Sequence, residues 1–419
     1  MPKLNLSSSV QHPALSCEKA TQDLTTALAS KHHAVDKSHP RSPFIREKTV
    51  EKRWQALDNP DSKQALLDPM TLESMESYEK NIEHFIGTVK LPVGIAGPLR
   101  VNGMFAQGDY SIPLATTEAA LVASYDRGSK LITAAGGASA LLINEGVTRT
   151  PAFAFDTLAQ AGQFVAWVTT QFDTFRTIAE STTAHGKLKD INVNIEANNV
   201  YLVFEYLTGD ASGQNMVTIS TNKVYEYVLE HCPIEPNFAC LDGNLSGDKK
   251  ANAFTMRHVR GKKVSAEVTL SKALVEKYLH TTPELMERFG RMTTSGALLS
   301  GSLGVNAHYA NALAALYIAL GQDAACVSES AIGTTRMEVT QDGGLYASVT
   351  LPNLMVGTVG GGTGLPSQKA CLDLMGLHGS GNAKALAEVC ASVCLAGELS
   401  IVGAFTAGHF SRAHHKLAR

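Results

Sequence analysis

Charge is scarce in this chain. Lys, Arg, Asp and Glu make up 18% of its 419 residues, below the ~25% usual in globular domains, and none lies between Met292 and Gln322. The 36 basic and 39 acidic side chains leave a formal charge of −3, so there is no electrostatic footprint for nucleic acid or for an anionic membrane. Hydrophobic content of 44% excludes wholesale disorder, and the length allows two or three domains. The seven cysteines (17, 232, 240, 326, 371, 390 and 394) include no Cys-x-x-Cys pair and are odd in number. That spacing fits neither a metal site nor a disulfide framework and predicts reduced core thiols in a cytoplasmic protein. Met1 to Gln11 has no apolar run of a signal peptide. Gly-x-Gly-x-x-Gly and Gly-x-x-x-x-Gly-Lys-Ser/Thr are also absent, which removes the standard dinucleotide fold and the P-loop NTPases.

The uncharged stretch is long enough to test as a membrane span, which needs ~20 mostly apolar residues. Ser300, Ser302, Asn306, His308 and Asn311 interrupt it, and small residues dominate. It is expected to form one helix over about 294–320, buried in protein and closely approached by its neighbours. Residues 1–45 read as a mobile arm or weak helix and 46–86 as one or two surface helices. Leu91-Pro-Val-Gly-Ile-Ala-Gly-Pro-Leu99 reads as a turn-rich connector, because its prolines prevent a helix. A strand is expected at 110–114, and from Thr116 a helix with Glu118 in its first turn. Helix near 157–184, strands 191–195 and 200–207, and helix 216–231 alternate as in a compact α/β insert. Strands 264–270 and 345–351, a glycine-rich loop and a helix over 383–407 follow.

Two loops can hold phosphate. Gly357-Thr-Val-Gly-Gly-Gly-Thr-Gly364 exposes backbone N–H groups to an anion. Thr208-Gly-Asp-Ala-Ser-Gly-Gln-Asn-Met216 enters a helix by its positive end. Either can equally be a tight turn. Four polar groupings accompany them: Ala115-Thr-Thr-Glu118, Gly243-Asn-Leu-Ser-Gly-Asp-Lys-Lys250, Gly321-Gln-Asp-Ala-Ala325, and a tail with His409, His414 and His415. Singly, each is commonplace as a cap, a solvated charge or a frayed end.

Together, with Leu91–Leu99, Asn306-Ala-His-x-x-Asn311 and Ala407-Gly-His409, these blocks resemble the 3-hydroxy-3-methylglutaryl-coenzyme A reductase family, in the soluble form without a membrane anchor. The blocks run in family order from about 86 to 415. The resemblance implies an α+β fold: a large mixed domain built round a long central helix, with a small ferredoxin-like α/β nucleotide-binding domain inserted. The divisions implied are an N-terminal arm with helices at 1–90, a large domain at 91–149 and 241–400, a small NADP(H) domain at 150–240, and a C-terminal flap at 401–419. The uncharged stretch would be the central helix, next to a subunit interface.

The resemblance further implies NADPH-dependent reduction of the acyl thioester to mevalonate and free coenzyme A through a hemithioacetal and an aldehyde, with NADH possible instead. The assembly implied is a homodimer or higher oligomer with active sites at the subunit interface, and no membrane, nucleic acid or metal. Lys249 would stabilise the oxyanion, and Glu118 would protonate the reduced oxygen, its pKa raised by Asp323. His414 would protonate the departing thiolate. Arg149, Asp248, Lys250, His308 and Asn311 fall at substrate positions. Asp210, Gly213, Asn215, Met216, Gly360, Gly361 and Gly362 fall at cofactor positions.

The departures concentrate in recognition. Ser212 and Gln214 replace two methionines of the family's cofactor loop. Asp242 stands where a serine meeting the substrate carboxylate is usual, and a substrate lysine falls at Arg291 or Met292. A different acyl-coenzyme A thioester, or an idle paralogue with a binding role, are the alternative readings.

Overall fold

The protein is described from a computed structural model, over residues 25–30 and 42–408. Among these, eleven strands join in one mixed sheet: β1 Val93–Gly103, β2 Gln107–Ala115, β3 Ala138–Arg149, β4 Ala152–Ala154, β5 Lys187–Glu196, β6 Asn199–Leu207, β7 Phe238–Cys240, β8 Gly261–Leu270, β9 Gly304–Val305, β10 Gly333–Val339 and β11 Leu345–Leu354. The path runs β7-β4-β6-β3-β8-β11-β10-β9, with β1 and β2 beside β3 and with β5 beside β6. The long β3 connects two regions. Its first half pairs antiparallel with β8 and parallel with β1, while Val147–Arg149 pair with β6. Period-two burial along β8 and β11 shows one face turned to the core.

The core of that face is the helix Ala383–Thr406, nearly every residue of which is buried. It is the one helix among the described residues long and apolar enough to cross a membrane, and it lies inside the protein. Small residues let neighbours in: a Cβ on Gly128 of the helix Leu121–Ala134 would fall 1.9 Å from the Ala396 carbonyl oxygen. Its two carboxylates are buried and satisfied. Glu388 accepts from the backbone N–H groups of Met104, Phe105, Ala106 and Leu142 at 2.8–3.2 Å. Glu398 accepts from Ala307, His308 and the Thr335 hydroxyl.

The central helix is therefore 383–406, not the uncharged stretch. That stretch forms two helices, because Gly301 takes a left-handed φ of 71° and stops the helix Pro283–Ser300. The second, Tyr309–Ala319, is buried, but the end of the first is not: Leu298 is 82% and Leu299 88% exposed. Residues 91–99 are largely strand rather than connector, with Pro98 at a register irregularity between Ala96 and Leu99. The helix expected near 157–184 is also two, Leu158–Thr169 and Phe172–Glu180. The boundary at 401 falls within the central helix, where Val402 and Ala404 still pack in the core. Ile45, Val50, Trp54 and Phe85 form a separate small core for the N-terminal helices, tied by Arg53 and Trp54 to the carbonyls of Phe85 and Ile86.

Candidate active site

The two phosphate-loop candidates and the Gly321–Ala325 segment converge. Ser212–Met216, Gly321–Asp323 and Gly357–Thr363 line one cavity of about 530 Å³. Backbone crowding demands small residues there: a Cβ on Gly321 would lie 2.2 Å from the Gly362 carbonyl oxygen. Gln322 braces the two loops, accepting the Gly357 N–H at 2.8 Å and donating to the Gly357 carbonyl at 3.0 Å. Gly213 takes a φ of 85° to start the helix Gln214–His231, whose N-terminus borders the cavity. Gly360 and Gly361 also have positive φ, and the positions where their Cβ atoms would sit are open. This cradle of backbone N–H groups at a helix N-terminus fits the diphosphate of a nicotinamide dinucleotide. Asp210 is engaged elsewhere, accepting the N–H groups of Gly381 and Ala383 at the start of the central helix.

Asp323, which lines this cavity, pairs with Lys249, Nζ to Oδ2 3.0 Å. That hydrogen bond raises the Lys249 pKa above its ordinary value and keeps the ammonium charged. Lys249 itself has a φ of 56°, and its N–H donates to Glu329 at 2.9 Å. Glu329 and Arg260 are fully buried and paired at 2.8 Å. Burial pushes the Glu329 carboxyl up to about 7, against the pull of Arg260. Arg260 also donates to Asp248 at 3.0 Å and to Gln214 at 2.8 Å, and Gln214 donates to Asp248 in turn. The cofactor loop is thus wired to the Asp248–Lys249 loop. Gln214, Arg260, Glu329 and Gln322 are not among the residues expected from sequence. Gln214 carries a signal as a departure from the resembled motif, whereas Glu329 and Arg260, far apart in sequence, carry none.

Glu118 and Asn311 form a second pair, Asn311 Nδ2 donating to Glu118 Oε2 at 2.8 Å. Glu118 lies in the turn before the helix Leu121–Ala134 rather than in its first turn. Ala120 has a φ of 68°, and the Thr116 hydroxyl accepts the Glu118 N–H. With Ser124, Arg127, His308, Phe405 and neighbours, this pair lines a different cavity of about 410 Å³. His308 Nδ1 lies 3.2 Å from the Tyr125 hydroxyl, and its Nε2 is buried without a hydrogen-bond partner among the described residues. Within one chain Asp323 pairs with Lys249 and Glu118 with Asn311, so the two carboxylates stand apart there.

Arg149, Asp248 and Lys250 also cluster. Arg149 Nη1 donates to Asp242 at 2.5 Å and to Asp248 at 3.3 Å, and Lys250 donates to the Asp248 carbonyl. Arg291 pairs with Glu287 on its own helix. His414 lies outside the described residues.

The fold defined by this sheet and buried helix is that of solved bacterial reductases. The class II 3-hydroxy-3-methylglutaryl-CoA reductase from Streptococcus pneumoniae bound to NADPH superposes with a TM-score of 0.64 at 20% identity, over 86% of this chain and 100% of that one. Sequence likeness is closer. The family description "Hydroxymethylglutaryl-coenzyme A reductase" matches residues 45–419. The 3-hydroxy-3-methylglutaryl-coenzyme A reductase of Pyrococcus horikoshii is 44% identical, over 90% of this chain and 91% of that protein. That of Aeropyrum pernix is 45% identical, over 83% and 84%, and reductase 2 of Dictyostelium discoideum 39%, over 88% and 74%. The chain belongs to the hydroxymethylglutaryl-coenzyme A reductase family.

Proposed function

We propose that this protein is an NADPH-dependent oxidoreductase that reduces 3-hydroxy-3-methylglutaryl-coenzyme A to mevalonate and coenzyme A. The observation that carries the reading is the Lys249–Asp323 pair at the mouth of the glycine cradle. Gly213, Asn215, Met216 and Gly360–Gly362 would hold the dinucleotide, which supplies hydride when bound. Lys249, kept cationic by Asp323, would sit at the carbonyl oxygen as negative charge develops. Glu118, oriented by Asn311, would pass its proton to that oxygen, and His414 would protonate the thiolate. His308 and the cavity round Glu118 would take the coenzyme A side.

The division into a large domain and a small cofactor domain at 150–240 is supported by strand order. There β7-β4-β6-β5 is antiparallel with helices after β4 and β6, the ferredoxin-like pattern. A homodimer with shared active sites is supported by the exposed Leu298 and Leu299 and by the split of the catalytic groups between two cavities. The free thiols among the described residues support a cytoplasmic location.

The test is consumption of NADPH with 3-hydroxy-3-methylglutaryl-coenzyme A, read by nicotinamide absorbance. Turnover is expected, with a loss on the order of 10²-fold or more in Lys249→Ala. No oxidation of NADPH or NADH by the wild type overturns the reading, and full activity of Lys249→Ala removes that residue from the mechanism.

A further inference from the structure

The loop that carries Lys249 begins with an ion pair that the reduction chemistry does not require. Arg149 is nearly buried, its side chain 10% exposed, while its partner Asp242 is 31% exposed. Asp242 is thus the more accessible partner, and an anion that reaches the Arg149 guanidinium does so beside this carboxylate. The carboxylate is fixed in place: its Oδ1 accepts the Asn244 N–H at 2.8 Å, and its Oδ2 accepts the Ser246 hydroxyl at 3.3 Å besides Arg149.

Asp242 also bears on the local charge. Among the described residues, the cations Arg149, Arg260, Lys249 and Lys250 gather round this loop with the carboxylates of Asp242, Asp248, Asp323 and Glu329. Four cations meet three exposed or half-buried carboxylates and the buried Glu329, whose carboxyl burial pushes up to about 7. Removing Asp242 would make the group one charge more positive, which favours a second, distal carboxylate of an acyl chain. With it, such a carboxylate has to displace Asp242 or lie against it, and like charges held close are unfavourable. Arg149 makes both ion pairs through Nη1, and its Nε is buried without a partner. A donor left over beside a neutralised charge suits a neutral oxygen better than an anion.

We propose that Asp242 is the specificity-determining residue of the acyl pocket: as an internal counter-anion to Arg149 it weakens capture of thioesters with a distal carboxylate and admits neutral acyl chains. This rests on reading the Lys249 loop as the acyl site of a thioester reductase.

Dissociation constants for 3-hydroxy-3-methylglutaryl-coenzyme A and for isovaleryl-coenzyme A, a branched thioester without the carboxylate, measured by calorimetry on the whole protein, test it. The wild type is expected to separate the two by less than about tenfold. Asp242→Asn is expected to tighten the first by roughly 10- to 100-fold while leaving the second within about twofold. Asp242→Ser should do the same. Adding Arg149→Met to Asp242→Asn should abolish the gain. A purely structural role for Asp242 would move both thioesters together, and that result, or an unchanged ratio in both variants, overturns the proposal. Turnover with NADPH is read in parallel. If no variant turns over but the binding ratio shifts as expected, the reductase reading fails and the role of Asp242 stands.

Discussion

Lys249 is held at both ends. Its ammonium lies on Asp323, and its N–H on Glu329, a carboxylate with no exposure to solvent. Burial raises the Glu329 pKa from 4.5 to about 7, so folding favours its protonated form. The sign follows: the folded state takes up this proton first, so the contribution of Glu329 to stability grows as pH falls through 7 towards the unfolded value. It is lost as pH rises through 7. We expect the denaturation midpoint of the wild type to fall as pH rises from about 4.5 to about 7, a step that Glu329→Gln removes. Equal pH dependence in the two proteins, measured in urea, would show that Arg260 holds Glu329 ionised throughout. Much of the site is legible in the sequence because its groups come in short blocks: Lys249, Asp323, Glu118 and Asn311 stand in Asp-Lys-Lys, Gly-Gln-Asp, Thr-Thr-Glu and Asn-Ala-His-x-x-Asn. Their partners are less so. That Asp323 pairs with Lys249 within one chain, and that Asp210 caps a helix 173 residues on, are facts of chain crossing that local spacing does not encode.

At the scale of elements, the central helix shows why a charge gap misleads. Absence of charge marks burial against something, but not against what. The stretch 292–322 contains Gly301, which ends one helix, while the helix 383–406 carries two glutamates and is the more deeply buried. Strands are easier, because alternation in β6, β8 and β11 is a local signal. The strand at 93–103 is hidden by Pro92 and Pro98, which read as breakers, although a bulge accommodates Pro98. The glutamates make the helix testable. Glu388 gathers four backbone N–H groups from the β1–β2 hairpin and β3, so it joins helix to sheet in a dry setting. Glu388→Ala leaves those donors unpaired and is expected to cost about 3 kcal/mol or more, read as a lower urea midpoint. An unchanged midpoint would mean that water replaces the carboxylate.

At the scale of the whole molecule, the candidate catalytic groups of one chain lie at two places. The cradle with Lys249 and Asp323 opens on one cavity, and Glu118 with Asn311 on another. The reduction needs the cation and the proton donor at one carbonyl oxygen. Two copies that bring one chain's Glu118 to the other's Lys249 meet that need. Leu298 and Leu299, apolar, adjacent and almost fully exposed, are surface that a single chain leaves uncovered. Mixing inactive proteins decides between the arrangements. Glu118→Gln and Lys249→Ala are each expected to be nearly silent alone. If sites are shared, unfolding and refolding them together lets half the dimers be mixed, each with one intact site, and activity returns to roughly a quarter of the wild-type rate. If each chain supplies its own Glu118 and Lys249, the mixture stays as silent as its components. Leu298→Asp gives an independent check: a shared site loses turnover as the protein becomes monomeric by sedimentation, whereas a monomer that keeps full turnover would place the whole reaction within one chain.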